Sequence, residues 1–339
     1  MRHRPGPLNL ITDVPGLLVG NAEDERAATG VTAVLCGDGW PAGVDVRGGG
    51  PGVRESEALA PENLVGRAHA IVISGGSVFG LAAADGAVAL LSSHGRGLQL
   101  KPGSPPIPIV PGAVLHDLAN GGDKAWRVDP PYRRLGMAAV EAAGERFDLG
   151  SAGAGRGAMV AMVKGGLGSA SLDLGGGLFV GAVAAANAVG SALMPDGETF
   201  WAWPFEIEGE FGGRPPPARM DVSDPAPDET RLSQLGRLQP GAATTLAVVA
   251  TSAALTTAEC KRLAMMAQDG LARAIRPAHT PFDGDVVFAV STEAISLSTG
   301  QDRAVQLARI GSAAADCLAR AIARGVYEAN QPHQAAAGS

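Results

Sequence analysis

The chain has 339 residues with 27 basic and 34 acidic side chains, a formal charge of −7 that excludes the basic footprint of a sequence-independent nucleic-acid binder. Apolar residues make up 46 % and charged residues 18 %, which supports a sizeable buried core and excludes global disorder. Glycine is abundant, at 48 residues against a usual share of about 7 %, but it lacks the three-residue period of collagen, and aromatics are only 4 %.

The N-terminus, MRHRPGPLNLITDVPG, is basic but is not followed by the long apolar run of a signal peptide, and no stretch reads as a transmembrane span. The expectation is a soluble cytoplasmic protein without a membrane partner. Cys36, Cys260 and Cys317 are too few and too scattered for a disulfide scaffold or a thiolate zinc site, and read as small buried hydrophobes. Residues 16–50 hold short apolar runs separated by glycine, which predict strands. HAIVIS at 69–74 predicts a buried strand, followed by the glycine turn Gly75-Gly76-Ser77 and an Ala/Leu-rich helix to about Leu91. That turn either packs strand closely on helix or presents backbone N–H groups to an anion. PPIPIVPGAVL at 105–115 reads as extended, and Arg133–Arg146 as a helix.

Residues 151–190 alternate small side chains with many glycines, which predicts several packed strands. Between Arg214 and Ala243, six prolines and eight charged residues in thirty positions mark a long linker. Thr244–Thr251 (TTLAVVAT) then predicts a strand, and Thr256 with Glu259 a capping box. Leu263, Ala267, Leu271 and Ala274 share one face of the following helix, which Pro277 stops. Asp285–Thr292 is a further strand, and Leu307, Ile310, Ala314 and Leu318 mark a final amphipathic helix with a frayed tail after Asn330. Strands and helices mix without a strict βαβ rhythm, which predicts an α+β layered sandwich.

Four features could carry chemistry. Lys164 interrupts a run of small uncharged residues, as either a surface turn or an ammonium pointing into a cleft. Asn187 stands alone in FVGAVAAANAVGSAL, as either a satisfied core amide or an oxyanion donor. Asp283-Gly284-Asp285 is a turn, a carboxylate pair or half a metal site, but no second cluster has metal-ligand spacing, so neither metal nor cofactor is expected. Thr244 opens a buried strand directly after the linker. It is either an ordinary β-branched residue or a nucleophile at a new N-terminus, whose freed α-amine could act as base.

Six segments together resemble the DmpA-type peptidases, which include L-aminopeptidase/D-esterases, β-peptidyl aminopeptidases and the nylon-oligomer endo-hydrolase. They are Ile11–Gly16 (ITDVPG), Arg47–Gly52 (RGGGPG), Ser74–Leu81 (SGGSVFGL), Pro108–Val114 (PIVPGAV), the Ala243-Thr244-Thr245 junction and His279–Asp285 (HTPFDGD). The likeness runs from about Leu8 to Arg324. It implies an αββα sandwich of the DmpA/ornithine-acetyltransferase type. It also implies self-cleavage into a large subunit of residues 1–243 and a small subunit of residues 244–339 that together form one structural domain. The nucleophile falls on Thr244, and supporting roles fall on Lys164, Asn187, Asp283 and Asp285, with the two aspartates orienting the amine and holding Lys164 charged. Ala243 stands where relatives carry Asn or Gly, and a family tyrosine has no counterpart in register, Tyr132 lying nearby. The implied partners are a small peptide, amide or ester substrate and further copies of the chain in a homotetramer. An acyltransferase using an amine acceptor and an uncleaved assembly protein are the alternatives.

Overall fold

The structure is a computed structural model that describes residues 4–219, 230–231 and 243–332. The strand Leu18–Asp24 (β1) is followed by Thr29–Val46 (β2), Gly52–Arg54 (β3), Arg67–Ser74 (β4), the helix Ala82–Ser93 (α1), Gly112–Val114 (β5) and the helix Tyr132–Glu141 (α2). Next come Met159–Val160 (β6), Val163–Lys164 (β7), Gly166–Asp173 (β8) and Phe179–Asn187 (β9). The chain after the linker forms Thr244–Ala253 (β10), Thr257–Ala274 (α3), Val286–Ile295 (β11) and Gly300–Asn330 (α4). Most of the predicted linker, at 220–229 and 232–242, and the tail after residue 332 lie outside the described residues.

β2 belongs to two sheets. Its residues up to Pro41 pair with β1 and β4, with a register shift between Leu35 and Trp40, and Ala42 to Val46 pair with β11. Beyond β11 the order continues through β10 and β9 to β8, and beyond β4 through β5 to β3. Side-chain alternation then divides the core. In β10, Leu246, Val248 and Ala250 pack between the sheets with Ile71, Ile73 and Phe288. Ala247 and Val249 face the other way, onto Leu263, Leu271, Leu318 and Ile322 of α3 and α4. On the far side, Val31, Ala33 and Val72 meet Ala83, Leu91 and Leu135 of α1 and α2. The result is the expected αββα sandwich, produced by a period of two in strands buried on both faces.

Small residues set the spacing of these layers. A Cβ at Gly168 of β8 would sit 1.9 Å from the Ala321 carbonyl oxygen of α4, so the helix rests on the strand backbone. The capping box of α3 forms as predicted, with Thr256 and Glu259 capping each other's backbone N–H. The helix expected at Arg133–Arg146 ends at Glu141 instead. Gly144 leaves it to exchange two backbone hydrogen bonds with Val19 beside β1, at 3.0 and 3.1 Å. The three cysteines are buried and unpaired. Among the described residues, no helix is long and apolar enough to cross a membrane.

One charged cluster ties the chain after Thr244 to the chain before it. Arg320 of α4 is 1 % exposed. Its Nε donates to Glu210 at 2.5 Å, Nη2 to Glu210 and Asn9 at 2.9 Å, and Nη1 to the Ser171 carbonyl at 2.8 Å. Arg324 adds a second cation 3.6 Å from the same carboxylate. Removing Glu210 would leave the Arg320 guanidinium buried without its ion-pair partner. Glu210→Ala should therefore cost about 3–5 kcal/mol in urea unfolding; a loss below about 1 kcal/mol, the range of exposed pairs, would reject this clamp.

Candidate active site

Three strands converge at one end of the sheet. β9 ends at Asn187, β10 begins at Thr244, and β11 begins at Val286 directly after Asp285. The antiparallel register of β9 and β10 sets Thr244 opposite Asn187, and a parallel bridge sets Ala243 beside Asp283. Thr244 has the parity of Leu246 and Val248, and Asn187 that of Val183 and Ala185, so both side chains point between the sheets. Thr244, Asp283 and Asp285 are each 1 % exposed and Asn187 is fully buried.

The Thr244 hydroxyl lies against the carbonyl that precedes it, with Oγ1 donating to the Ala243 oxygen at 2.5 Å. The Gly284 N–H donates to the same oxygen at 2.8 Å. Asn187 has a fixed amide orientation. Its Oδ1 accepts from the Met159 N–H at 2.9 Å and from Asn120 Nδ2 at 3.3 Å, and its Nδ2 donates to the His116 carbonyl at 3.1 Å. A backbone N–H can only donate and a carbonyl can only accept, so these partners determine which amide atom is which. That leaves one Nδ2 hydrogen for a reacting oxygen.

Both aspartates hold backbone. Asp285 accepts from the Thr245 N–H at 2.7 Å, from the His279 N–H at 3.2 Å, and lies 2.8 Å from His279 Nδ1. Asp283 accepts from the Val189 N–H at 3.1 Å, the Thr280 N–H at 2.9 Å and the Thr280 hydroxyl at 2.6 Å. Burial, and then the neighbouring Asp285 carboxylate, push the Asp283 carboxyl above the usual range, while its three hydrogen bonds pull it back. The expected pairing of these carboxylates with Lys164 is not made. Lys164 is exposed on the β6–β7 hairpin, and among the described residues its ammonium has no hydrogen-bond or ion-pair partner. The carboxylate oxygens turn inward because the unpaired backbone donors of the 279–285 loop and of Val189 are there. Lys164 still neighbours the site, since its strand partner Met159 is the residue bound to Asn187 Oδ1.

The structure thus brings Thr244, Asn187, Asp283 and Asp285 together and leaves Lys164 on the rim. His279, Thr280 and Asn120 support the site without having been assigned a role from sequence. The spacing of Thr280 and Asp283, a side-chain-capped turn, was the available signal for one of them. The open question at Gly75-Gly76-Ser77 is resolved as packing. The Gly76 N–H donates to buried Asp117 at 2.8 Å and the Ser77 N–H to the Leu115 carbonyl at 2.9 Å, so neither awaits an anion. Tyr132 is fully buried, with its hydroxyl 3.3 Å from Thr29. Among the described residues, no group of three His, Cys, Asp or Glu side chains is placed to hold a metal ion.

Comparison with known proteins bears on the family and the fold. The family model for peptidase family S58 matches residues 9–337. An uncharacterized aminopeptidase of Mycobacterium tuberculosis (strain ATCC 25618 / H37Rv) is 43 % identical over 338 residues, covering 95 % of this chain and 94 % of its own. A 6-aminohexanoate-oligomer endohydrolase of Kocuria sp. (strain KY2) is 30 % identical over 295 residues, covering 85 % and 76 %. Among solved structures, a Burkholderia sp. beta-aminopeptidase superposes with a TM-score of 0.68 at 24 % identity, over 96 % of this chain and 88 % of its own. The L-aminopeptidase D-Ala-esterase/amidase of Ochrobactrum anthropi, described as a variant of the Ntn hydrolase fold, also gives 0.68, at 22 % identity over 97 % and 88 %. The resemblance read from the six motifs is thereby borne out: the chain belongs to peptidase family S58 and shares the fold of these solved aminopeptidase structures.

Proposed function

We propose that the chain cleaves itself between Ala243 and Thr244 and that the released Thr244 is the nucleophile of an aminopeptidase-like amide and ester hydrolase. The observation that carries this reading is the Thr244 hydroxyl held 2.5 Å from the Ala243 carbonyl oxygen, at a strand start opposite Asn187. Residues 1–243 would form the large subunit and 244–339 the small one, still joined through the β9–β10 pairing. In turnover, Thr244 Oγ1 attacks a substrate carbonyl and its proton passes to the new α-amine, whose reference pKa of roughly 7.7–8.0 suits a base near neutrality. The remaining Asn187 Nδ2 hydrogen faces the developing oxyanion, a contact of a kind worth roughly 2.7–4 kcal/mol. Asp285 fixes Thr245 and thereby the direction of the α-amine, while Asp283 and Thr280 hold the loop behind it. The acyl-enzyme resolves with water. The substrate class is a short peptide, amide or ester, a reading supported by relatives named as an aminopeptidase and a 6-aminohexanoate-oligomer endohydrolase.

Thr244→Ala should remain one full-length band on a denaturing gel, with turnover lower by on the order of 10⁶, as for loss of a hydrolase nucleophile. A Thr244→Ala chain that still divides at this junction would refute the assignment.

Lys164 is proposed to carry the proton between the rim and the nucleophile. Arginine keeps the charge but cannot act as a base, so Lys164→Arg should lose turnover nearly as fully as Lys164→Ala. Steady-state rates near wild type in the arginine variant would leave Lys164 as a surface cation.

The mature enzyme is proposed to be a homotetramer. Val78 and Phe79 are 64 % and 43 % exposed and Val128 is 97 % exposed, giving the chain apolar side chains for contact between copies. Light scattering on the cleaved protein should give four times the protomer mass, and a monodisperse protomer would reject the assembly.

A further inference from the structure

We propose that the Gly284 N–H is a catalytic oxyanion donor for self-cleavage, and that residue 284 must be glycine for Thr244 to reach the carbonyl it attacks. The inference rests on the self-cleavage reading above and adds a residue that the carboxylate reading of Asp283-Gly284-Asp285 passes over. Three observations carry it.

The Gly284 nitrogen lies 2.8 Å from the Ala243 carbonyl oxygen, the atom that takes the negative charge when Thr244 attacks, so a donor already sits on the oxygen that becomes the oxyanion. This N–H is preorganised, because its own peptide and the one before it are pinned, the Asp283 N–H donating to the Thr280 carbonyl at 3.0 Å. The Asp283 carbonyl accepts from the Gly50 N–H at 2.8 Å, and the Asp285 carbonyl from the Arg47 N–H at 3.0 Å. The adjacent carboxylates are held in turn by Val189, Thr280, Thr245 and His279. A donor so fixed needs no reorganisation as charge develops. Finally, the space beside it has no room for a side chain. A Cβ at position 284 would lie 2.7 Å from Thr244 Oγ1 and 2.7 Å from the Gly50 carbonyl oxygen. It would therefore meet the nucleophile itself and the strap that holds the loop.

The step balances with water as the only co-reactant. Thr244 Oγ1 bonds to the Ala243 carbonyl carbon, and the carbonyl π pair moves onto the oxygen facing the Gly284 N–H. Collapse of this oxyanion breaks the bond from the Ala243 carbonyl carbon to the Thr244 nitrogen. The hydroxyl proton ends on that nitrogen, leaving an Ala243 ester on Oγ1 and a free α-amine. Water then hydrolyses the ester to the Ala243 carboxylate and restores the Thr244 hydroxyl.

The test replaces Gly284 by glycolic acid in cell-free translation, exchanging the N–H for an ester oxygen and adding no atom near Thr244. Cleavage is followed by pulse-chase on denaturing gels, and rates are read on protein with a cooperative thermal transition and the hydrodynamic size of the unmodified chain. The expected result is cleavage about 10²–10³-fold slower. Gly284→Ala, which keeps the N–H and adds a methyl group, should also accumulate full-length chain. Wild-type cleavage in the folded glycolate chain overturns the donor role, and wild-type cleavage in folded Gly284→Ala overturns the requirement for glycine. Thr244→Ala in the same assay separates the two readings. Cleavage persisting there overturns Thr244 as nucleophile, whereas arrest there with wild-type cleavage in the glycolate chain overturns Gly284 alone.

Discussion

Two carboxylates buried side by side are costly to ionise, and the end of the sheet is organised around satisfying them. Asp283 and Asp285 are each 1 % exposed and separated by a single glycine. Among the described residues their oxygens accept from backbone N–H groups, the Thr280 hydroxyl and His279, and the Arg231 guanidinium acts on Asp283 through its charge. Those donors come from the end of β9, the start of β10 and the loop before β11, so satisfying the carboxylates places three chain ends in register. The glycine strap at 47–50 closes the arrangement from outside by capping the Asp283 and Asp285 carbonyls. Thr244 and Asn187 then face each other because the β9–β10 pairing leaves no other register. A shift by one residue would turn Thr244 out of the intersheet space and Thr245 into it.

On the self-cleavage reading, the same frame would let a chain cut before β10 keep its core. β10 lies between β9, which precedes the junction, and β11, which follows it. Cutting before the first residue of β10 removes no ladder bond from the rest of that strand. Across the sheet, α4 rests on β8 through glycine contacts, and Arg320 reaches Asn9, Ser171 and Glu210. These contacts join the chain before Thr244 to the chain after it through buried surface, where ionic pairs are least screened by solvent.

Much of this was legible in the residues. The period-two pattern of 244–251, the capping box at Thr256 and Glu259, and the apolar face of α3 each rest on local rules, and each appears where the sequence places it. Isolated polar residues in small-residue strands were also informative, since burying an amide or hydroxyl in such a strand requires a partner, and Asn187 and Thr244 found theirs near each other. What was not legible depends on long-range pairing. Whether Asp283 turns toward Lys164 or toward Val189 is decided by where β9 ends, which no spacing within 279–285 encodes. Asn120 lies far from Asn187 in sequence and in a loop, so its amide contact carried no periodic signal. The end of α2 was misplaced for the same reason, because β1 draws Gly144 out of the helical pattern.

The hydrogen bonds of the aspartates also constrain the chemistry. A carboxylate whose oxygens already accept from backbone N–H groups is a poor general base, because taking up a proton would break the contacts that hold it. Asp283 and Asp285 therefore read as structural anions, and in the intact chain no carboxylate of this cluster is placed to take the Thr244 proton. On the self-cleavage reading, the first cut creates what is missing. Breaking the Ala243–Thr244 peptide turns an amide nitrogen, which is not basic, into an amine on the same residue as the nucleophile. Asp285 holds the next N–H along, at Thr245, so the new amine is tethered within one residue of a fixed carboxylate. The proton acceptor for turnover would then be a product of processing. That order accounts for a nucleophile 1 % exposed in the uncleaved chain, since exposing it earlier would offer substrate a hydroxyl with no base beside it.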